Sequence, residues 1–148
     1  PAVRVGVISA LGLVFLIASL PPRRAWTDDE ELWIYAVQAE PRAALHHHNV
    51  SNTYFRRGDL DLGAYHRFVY RYLIERYPEP VQWDVIDAVS TLPPEDRFVE
   101  LPGRLEPDNP CPLVRSFAAK ARRYEALEEY VVDRWAPRYP QCMPQPVR

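Results

Sequence analysis

The sequence predicts an all-α protein in which an N-terminal transmembrane helix is followed by helical hairpins and a C-terminal capping helix. Three observations support this fold class. An uncharged apolar run occupies residues 5–20, apolar residues recur at helical spacing through the middle of the chain, and a long amphipathic stretch lies at 113–136. The chain has 148 residues, which is enough for one compact domain of ordinary size.

The apolar run, "VGVISALGLVFLIASL", contains 16 residues without a charge, close to the length that a helix needs to cross the hydrocarbon core of a bilayer. Pro21-Pro22 would end this helix, and Arg23-Arg24 with Trp26 are typical of the membrane interface. We therefore predict a transmembrane helix or signal anchor at 1–22. A cleaved signal peptide is the alternative interpretation of the same run.

Four further helices are predicted, and several carry a local signal at one end. The acidic run at 28–31 favours a helix N-terminus, because the helix dipole stabilises negative charge there. Pro41 ends this helix, and Gly58 follows the next helix at a position where a left-handed residue is common. The four predicted helices span residues 27–40, 42–57, 60–78 and 80–91.

Packing residues recur with a spacing of about 35 positions within residues 23–91. The residues assigned to packing are Trp33, Ala36, His47, Val50, Ser51, Tyr54, Gly58, Ala64, Phe68 and Trp83. Their order, with a Gly-Asp turn between the two central helices, resembles the tetratricopeptide repeat, a pair of antiparallel helices that stacks on its neighbours. The resemblance implies that small residues let two helices approach while bulky ones fill the grooves beside them.

A second resemblance covers roughly residues 5–78. The residues that carry it are Trp26, Leu32-Trp33, Pro41, His48-Asn49, Tyr54 and Gly58-Asp59. Their order resembles the C-terminal region of bacterial multi-spanning membrane proteins that are similar to protein O-mannosyltransferase-like glycosyltransferases. In that family the transfer chemistry belongs to loops between earlier membrane helices, so the resemblance assigns no catalytic residue to this chain. It implies that the repeat tail binds partners on the extracytoplasmic side.

Three adjacent histidines at 46–48 invite a metal-site interpretation. Consecutive residues on a helix point about 100° apart, however, so three in a row cannot converge on one ion. His47 occupies a position that a large core side chain fills in the repeat. We therefore predict a packing role for His47 and assign no metal or cofactor to the chain.

The second half of the chain is rich in proline. Residues 92–112 contain six prolines and are predicted to form a linker without helix. An amphipathic capping helix is predicted at 113–136, followed by an extended tail at 137–148. The apolar face of that helix consists of Leu113, Phe117, Ala121, Tyr124, Leu127, Val131 and Trp135. Cys111 and Cys142 would form a disulfide in an exported protein and remain two thiols in a cytosolic one.

These features predict an interaction module rather than an enzyme. The net charge of −2 argues against a nucleic-acid partner, and neither a Gly-rich phosphate loop nor a recognisable catalytic motif is present. We expect a module anchored in the bacterial inner membrane through residues 5–20, with a periplasmic soluble part that binds a protein or peptide. The alternatives are the non-catalytic C-terminal part of a membrane glycosyltransferase and a secreted adaptor whose signal peptide is removed.

Overall fold

The computed structural model describes residues 11–17, 26, 28–76, 80–123 and 125–143. These residues form α-helices and one short 3-10 helix, with no β-strand among them, which confirms the all-α prediction. Residues 11–17 are helical and exposed, but most of the transmembrane helix predicted at 1–22 lies outside the described residues. Within the described part of the chain, no helix combines the length and the apolar composition that a bilayer crossing requires.

After residues 11–17, the described part of the chain contains seven α-helices. They are α1 (Asp29–Ala39), α2 (Ala44–Arg56), α3 (Leu60–Arg76), α4 (Trp83–Ser90), α5 (Pro94–Leu105), α6 (Cys111–Ala121) and α7 (Glu125–Trp135), followed by a 3-10 turn at Pro140–Cys142. The first four lie inside the four ranges that the sequence predicts between residues 27 and 91. The first, second and fourth helices are shorter than predicted at both ends, and residues 77 and 78 of the third range lie outside the described residues.

Charged side chains cap α1 and connect it to α2. The Asp28 carboxylate accepts a hydrogen bond from the Glu30 amide at 2.8 Å, so the N-cap lies within the acidic run. At the far end of α2, Arg57 donates to Glu30 at 2.7 Å and to Glu31 at 3.1 Å. These contacts join the start of α1 to the end of α2, which makes the two helices antiparallel.

The turn between α2 and α3 closes through its own backbone. Gly58 has a φ of 77°, a left-handed conformation that glycine adopts without a Cβ clash. The Asp59 amide donates to the Tyr54 carbonyl at 2.9 Å and the Gly58 amide to the Phe55 carbonyl at 3.1 Å, the two bonds of a Schellman motif. The Asp59 carboxylate then accepts from the Leu62 amide at 3.0 Å, so this residue also caps α3.

Small residues allow α2 and α3 to approach closely. Val50, Ser51 and Ala64 have no exposed surface. A Cβ atom on Gly63 would lie 2.5 Å from two ring carbons of Phe55, so the ring occupies the space that a larger residue would need. Among the described helix pairs, α2 and α3 make the most extensive contact.

Aromatic rings from four helices form the core. They are Phe68 on α3, Phe98 on α5, Phe117 on α6 and Trp135 on α7, each with at most 4% of its surface exposed. The Phe98 ring stacks on Trp135 with centroids 4.5 Å apart, and Phe68 meets Trp135 edge-on at 5.7 Å. Since α3 also packs against α2, it lies between the N-terminal helices and this aromatic core.

The predicted helix-free linker at 92–112 is wrong, because α5 lies within it. Pro94 stands in the first turn of α5, where a missing N–H breaks no helical bond. Pro102 lies inside the helix and removes the bond that would reach the Phe98 carbonyl. The indole N–H of Trp135 donates to this carbonyl at 3.1 Å and replaces the lost bond.

Tyr139 supplies hydrogen-bond partners for the next residues along α5. The Gly103 amide donates to the Tyr139 hydroxyl at 3.1 Å, and the same hydroxyl donates to the Val99 carbonyl at 2.7 Å. The hydroxyl thus bridges an amide and a carbonyl that pair directly in a regular helix. The helix continues past its internal proline because side chains from α7 and beyond supply the missing partners.

The single capping helix predicted at 113–136 is also wrong, because this stretch is divided into α6 and α7. On one continuous helix Phe117 and Trp135 would lie about 27 Å apart. Their ring centroids are 5.5 Å apart, since α7 folds back so that both rings enter the core. Leu127 and Val131 are buried on α7. Of the other residues on the predicted apolar face, Ala121 is buried, Leu113 is half-buried and Tyr124 lies outside the described residues.

The extended tail predicted at 137–148 is folded as far as the 3-10 turn, and residues 144–148 lie outside the described part. A disulfide joins Cys111 at the start of α6 to Cys142, whose side chain is fully buried. Arg115 donates to the Cys142 carbonyl at 3.1 Å. These contacts attach the segment after α7 to α6.

Candidate functional site

The predicted packing residues divide between the helix interfaces and a cavity. Buried between helices are Val50, Ser51, Ala64 and Phe68. Trp33, Ala36 and Trp83 are half-buried, and Gly58 is exposed in the α2–α3 turn. His47 and Tyr54 line a cavity that also contains other polar side chains able to bind a ligand.

The cavity has a volume of about 250 Å³ and lies where α1 to α5 converge. Its apolar lining includes Ile34, Val37 and Ile86. Its polar lining consists of Gln38, His47, Tyr54, Tyr65, His66, Asp87, Ser90 and Arg97, together with the turn at Pro41. A concave surface that combines apolar side chains with convergent polar groups is a usual form of a binding site, and this cavity is rich in polar groups.

Two histidines form a hydrogen-bonded pair in the cavity wall. The Nδ1 atoms of His47 and His66 are 2.9 Å apart, and His47 Nε2 lies 2.7 Å from the Pro41 carbonyl oxygen. A carbonyl can only accept, so His47 Nε2 carries a proton. In a neutral His47 ring Nδ1 is then the acceptor, and the bond between the rings requires His66 Nδ1 to be the donor.

Both rings are held in the neutral form. Burial lowers the pKa of His66 well below its ordinary value, and the nearby His47 and Arg97 lower it further. Burial also lowers the pKa of His47, against the opposing effect of its bond to the Pro41 carbonyl. The neutral pair therefore presents one fixed arrangement of donors and acceptors.

Aromatic rings fix the orientation of His66. The Tyr54 ring stacks on the imidazole with centroids 5.6 Å apart and planes 5° from parallel. The Tyr65 ring meets it edge-on at 4.9 Å. These two contacts restrict rotation of the imidazole, so packing against them sets the direction of its Nε2 lone pair.

Arg97 brings a positive charge to the cavity. Its Nε donates to the Leu92 carbonyl at 2.7 Å, and its guanidinium lies 6.0 Å from the Tyr65 ring. Asp87 on α4 contributes a carboxylate to the same lining. With one cation, one anion and a neutral imidazole pair, the described lining has no net charge.

The sequence alone assigned no binding role to His66, Arg97 or Asp87. His66 follows a predicted packing residue by two positions, but no motif connects it to His47 across 19 positions. Arg97 lies in the stretch that the sequence predicts to be a linker without helix, so no pattern places its side chain in a site. The sequence signal for His66 is its position in a helix that is expected to pack against the helix carrying His47.

The neighbours of His47 contact other groups. The His46 ring lies 6.5 Å from the Trp33 ring, and the His48 ring lies 4.7 Å from the Tyr70 ring. Among the described residues, no group of three or more His, Cys, Asp or Glu side chains is placed to hold a metal ion.

A second concavity, of about 300 Å³, lies over the outer face of α7. Its lining is Glu128, Glu129, Val132 and Asp133, all from this one helix. Because no second element encloses it, this surface lacks the convergent groups of the cavity at α1 to α5.

Comparison of the chain with protein-family models, with curated proteins and with solved structures finds no match. What the chain can bind is therefore inferred from its own geometry.

Proposed function

We propose that this chain is a helical interaction module that binds a peptide segment of a partner protein in the cavity formed by α1 to α5. The observation that carries the proposal is the unpaired polar lining. His66 Nε2 has no hydrogen-bond partner among the described residues and is not one of the fully buried polar atoms without a partner, so it stays accessible although the residue is only 9% exposed. A ligand that brings an N–H or O–H donor to this accessible nitrogen would form a hydrogen bond in a largely buried environment.

The shape of the cavity supports a peptide ligand. Apolar side chains such as Val37 and Ile86 share the lining with polar groups such as His66 and Arg97. A peptide segment offers both kinds of surface, since its backbone forms hydrogen bonds while its side chains bury apolar area.

A membrane anchor is the second part of the proposal. Residues 11–17 are helical, and their large apolar side chains are more than half exposed, from 54% for Leu16 to 74% for Phe15. Apolar side chains arranged in this way are stable in lipid. The disulfide between Cys111 and Cys142 supports an oxidising location for the soluble part, such as the periplasm.

The binding proposal can be tested by selecting peptides from a phage-displayed random library on the full chain in detergent micelles. Ser90 lies at the cavity and Asp84 lies on the same helix outside its lining, so Ser90→Trp fills the cavity and Asp84→Trp is the matched control. We expect selected peptides to bind the wild type and Asp84→Trp equally and to lose about tenfold or more with Ser90→Trp. Failure to enrich any peptide, or equal binding to both variants, would contradict the proposal.

The anchor can be tested by extraction of membranes at alkaline pH. The full chain is expected to remain with the lipid, and a chain lacking residues 1–22 is expected to be released. Release of the full chain would exclude an integral anchor. The glycosyltransferase tail and the secreted adaptor remain alternative proposals, and the N-terminal sequence of the mature protein separates the secreted adaptor from both anchored forms.

A further inference from the structure

We infer that the cavity recognises one backbone peptide unit of its peptide ligand. The N–H of this unit donates to His66 Nε2, and its C=O accepts from Arg97. The inference rests on the proposed function and specifies its ligand as an uncharged stretch of extended peptide. A carboxylate-bearing segment is the competing ligand.

Two contacts fix the direction of the hydrogen bonds in the histidine pair. The Pro41 carbonyl lies 2.7 Å from His47 Nε2 and fixes a proton there. His47 Nδ1 therefore accepts from His66 Nδ1, 2.9 Å away. The remaining nitrogen, His66 Nε2, is an acceptor, so a ligand must bring an N–H or O–H donor to it.

Arg97 uses one of its three guanidinium nitrogens within the protein. The Nε of Arg97 is used by the Leu92 carbonyl at 2.7 Å, which orients the guanidinium plane. No acceptor is recorded for its two terminal nitrogens among the described residues, and Arg97 lines the same cavity as His66. They offer donors to a ligand oxygen.

A peptide unit fits these two groups better than a carboxylate does. A peptide unit carries one donor and one acceptor, which match His66 and Arg97 respectively. A carboxylate could accept from Arg97, but it has no proton for His66 Nε2 and would meet the negative charge of Asp87 in the same lining. A carboxylate would therefore leave the imidazole unpaired, whereas a peptide unit satisfies both groups.

The histidine arrangement can be measured on the wild-type chain before any substitution. Long-range proton–nitrogen NMR spectra distinguish the two tautomers of each imidazole. We expect His47 to carry its proton on Nε2 and His66 to carry its proton on Nδ1. A proton on His66 Nε2 at neutral pH would overturn the inference, because the cavity would then present a donor at this point.

The ligand side is tested with a peptide selected as described above and a series of analogues, each N-methylated at one backbone position. Calorimetric titration of the wild type is expected to show one analogue that binds about tenfold or more weakly, the loss of one buried hydrogen bond. The His66 Nε2 resonance should shift with the parent peptide and stay unchanged with that analogue. Analogues in which acidic side chains are replaced by amides should bind like the parent.

The outcomes separate the two proposals. If every N-methyl analogue binds like the parent and the acid-to-amide changes abolish binding, the ligand is read through a carboxylate, and the inference fails while the interaction module stands. If Ser90→Trp does not weaken peptide binding, the cavity is not the site and both proposals fail. Arg97→Gln, at a half-buried position, should weaken the parent peptide and reduce the penalty of its critical N-methyl group.

Discussion

The Nδ1 atoms of His47 and His66 lie 2.9 Å apart inside the protein, and each ring is held by a further contact, His47 by the Pro41 carbonyl and His66 by the stacked ring of Tyr54. This pair connects α2 to α3 and to the turn after α1. Its hydrogen bond requires one unprotonated nitrogen, so protonation of both rings would place two N–H groups against each other.

The first prediction concerns pH. The unfolded chain binds protons on these histidines near pH 6.5, whereas burial lowers the pKa of both in the folded state. The unfolded state therefore binds more protons as the pH falls below about 6.5, and the free energy of unfolding should fall by up to about 1.4 kcal/mol per pH unit for each buried histidine. Urea unfolding between about pH 7.5 and pH 5 measures this change.

The variants His66→Gln and His46→Gln test whether the His47–His66 pair is the source of the pH dependence of stability. His66 contacts His47, Tyr54 and Tyr65, while Arg97 and Asp87 line the same cavity. Removal of His66 should reduce the pH dependence of stability by about half. His46 lies outside the pair, so its substitution should leave most of the dependence in place. An unchanged pH dependence in His66→Gln would show that the pair is not its source.

The second prediction concerns the internal proline of α5. Trp135→Phe removes the indole N–H that donates to the Phe98 carbonyl at 3.1 Å, and a buried unpaired carbonyl costs about 1–3 kcal/mol. In a Pro102→Ala background the new alanine supplies its own N–H, so Trp135→Phe should cost less there. Urea unfolding of the wild type, both single variants and the double variant gives the coupling free energy. Purely additive effects would mean that Trp135 does not replace the bond lost at Pro102.

The third prediction concerns the contact between α2 and α3. Gly63→Ala places a Cβ 2.5 Å from two Phe55 ring carbons, and we expect a net loss of about 1–2 kcal/mol although alanine favours a helix. The control is the same substitution in a Phe55→Leu background, where the smaller side chain leaves room and the loss should disappear. A stabilised Gly63→Ala variant would show that the helices are not limited by this contact.

The fourth prediction concerns the disulfide. The bond closes a segment with a sequence separation of 31, and its removal should lower the free energy of unfolding by about 3–4 kcal/mol through loop closure. Urea unfolding of the wild type with and without a thiol reductant measures this difference. The Cys111→Ser/Cys142→Ser variant should unfold like the reduced wild type and be insensitive to the reductant. Equal stability of oxidised and reduced wild type would contradict the expected role.

Local patterns were enough to predict several elements. The Gly58-Asp59 pair indicates a turn because each residue acts within its own segment, the first through its positive φ and the second through a carboxylate that caps the next helix. The amphipathic spacing of Leu127, Val131 and Trp135 identifies a buried helix face, since burial of one stripe is a property of a single helix.

Other features depend on residues far apart in the chain. The sequence around Pro102 favours a break, and the helix persists because Trp135 and Tyr139, more than 30 positions away, provide the missing hydrogen-bond partners. The division of 113–136 into α6 and α7 has a similar origin. Both Phe117 and Trp135 reach the aromatic core only if the chain reverses between them.

The candidate site also depends on residues that lie far apart in the chain. His47 and His66 come from neighbouring helices, but Arg97 reaches them from α5, in a stretch whose prolines suggest no helix. Propensities and caps act over one or two helical turns, so they specify which segments become helices and where many of them begin and end. The position of a side chain in a cavity depends on how five helices pack, because the free energy of that packing comes from contacts between residues that the sequence separates.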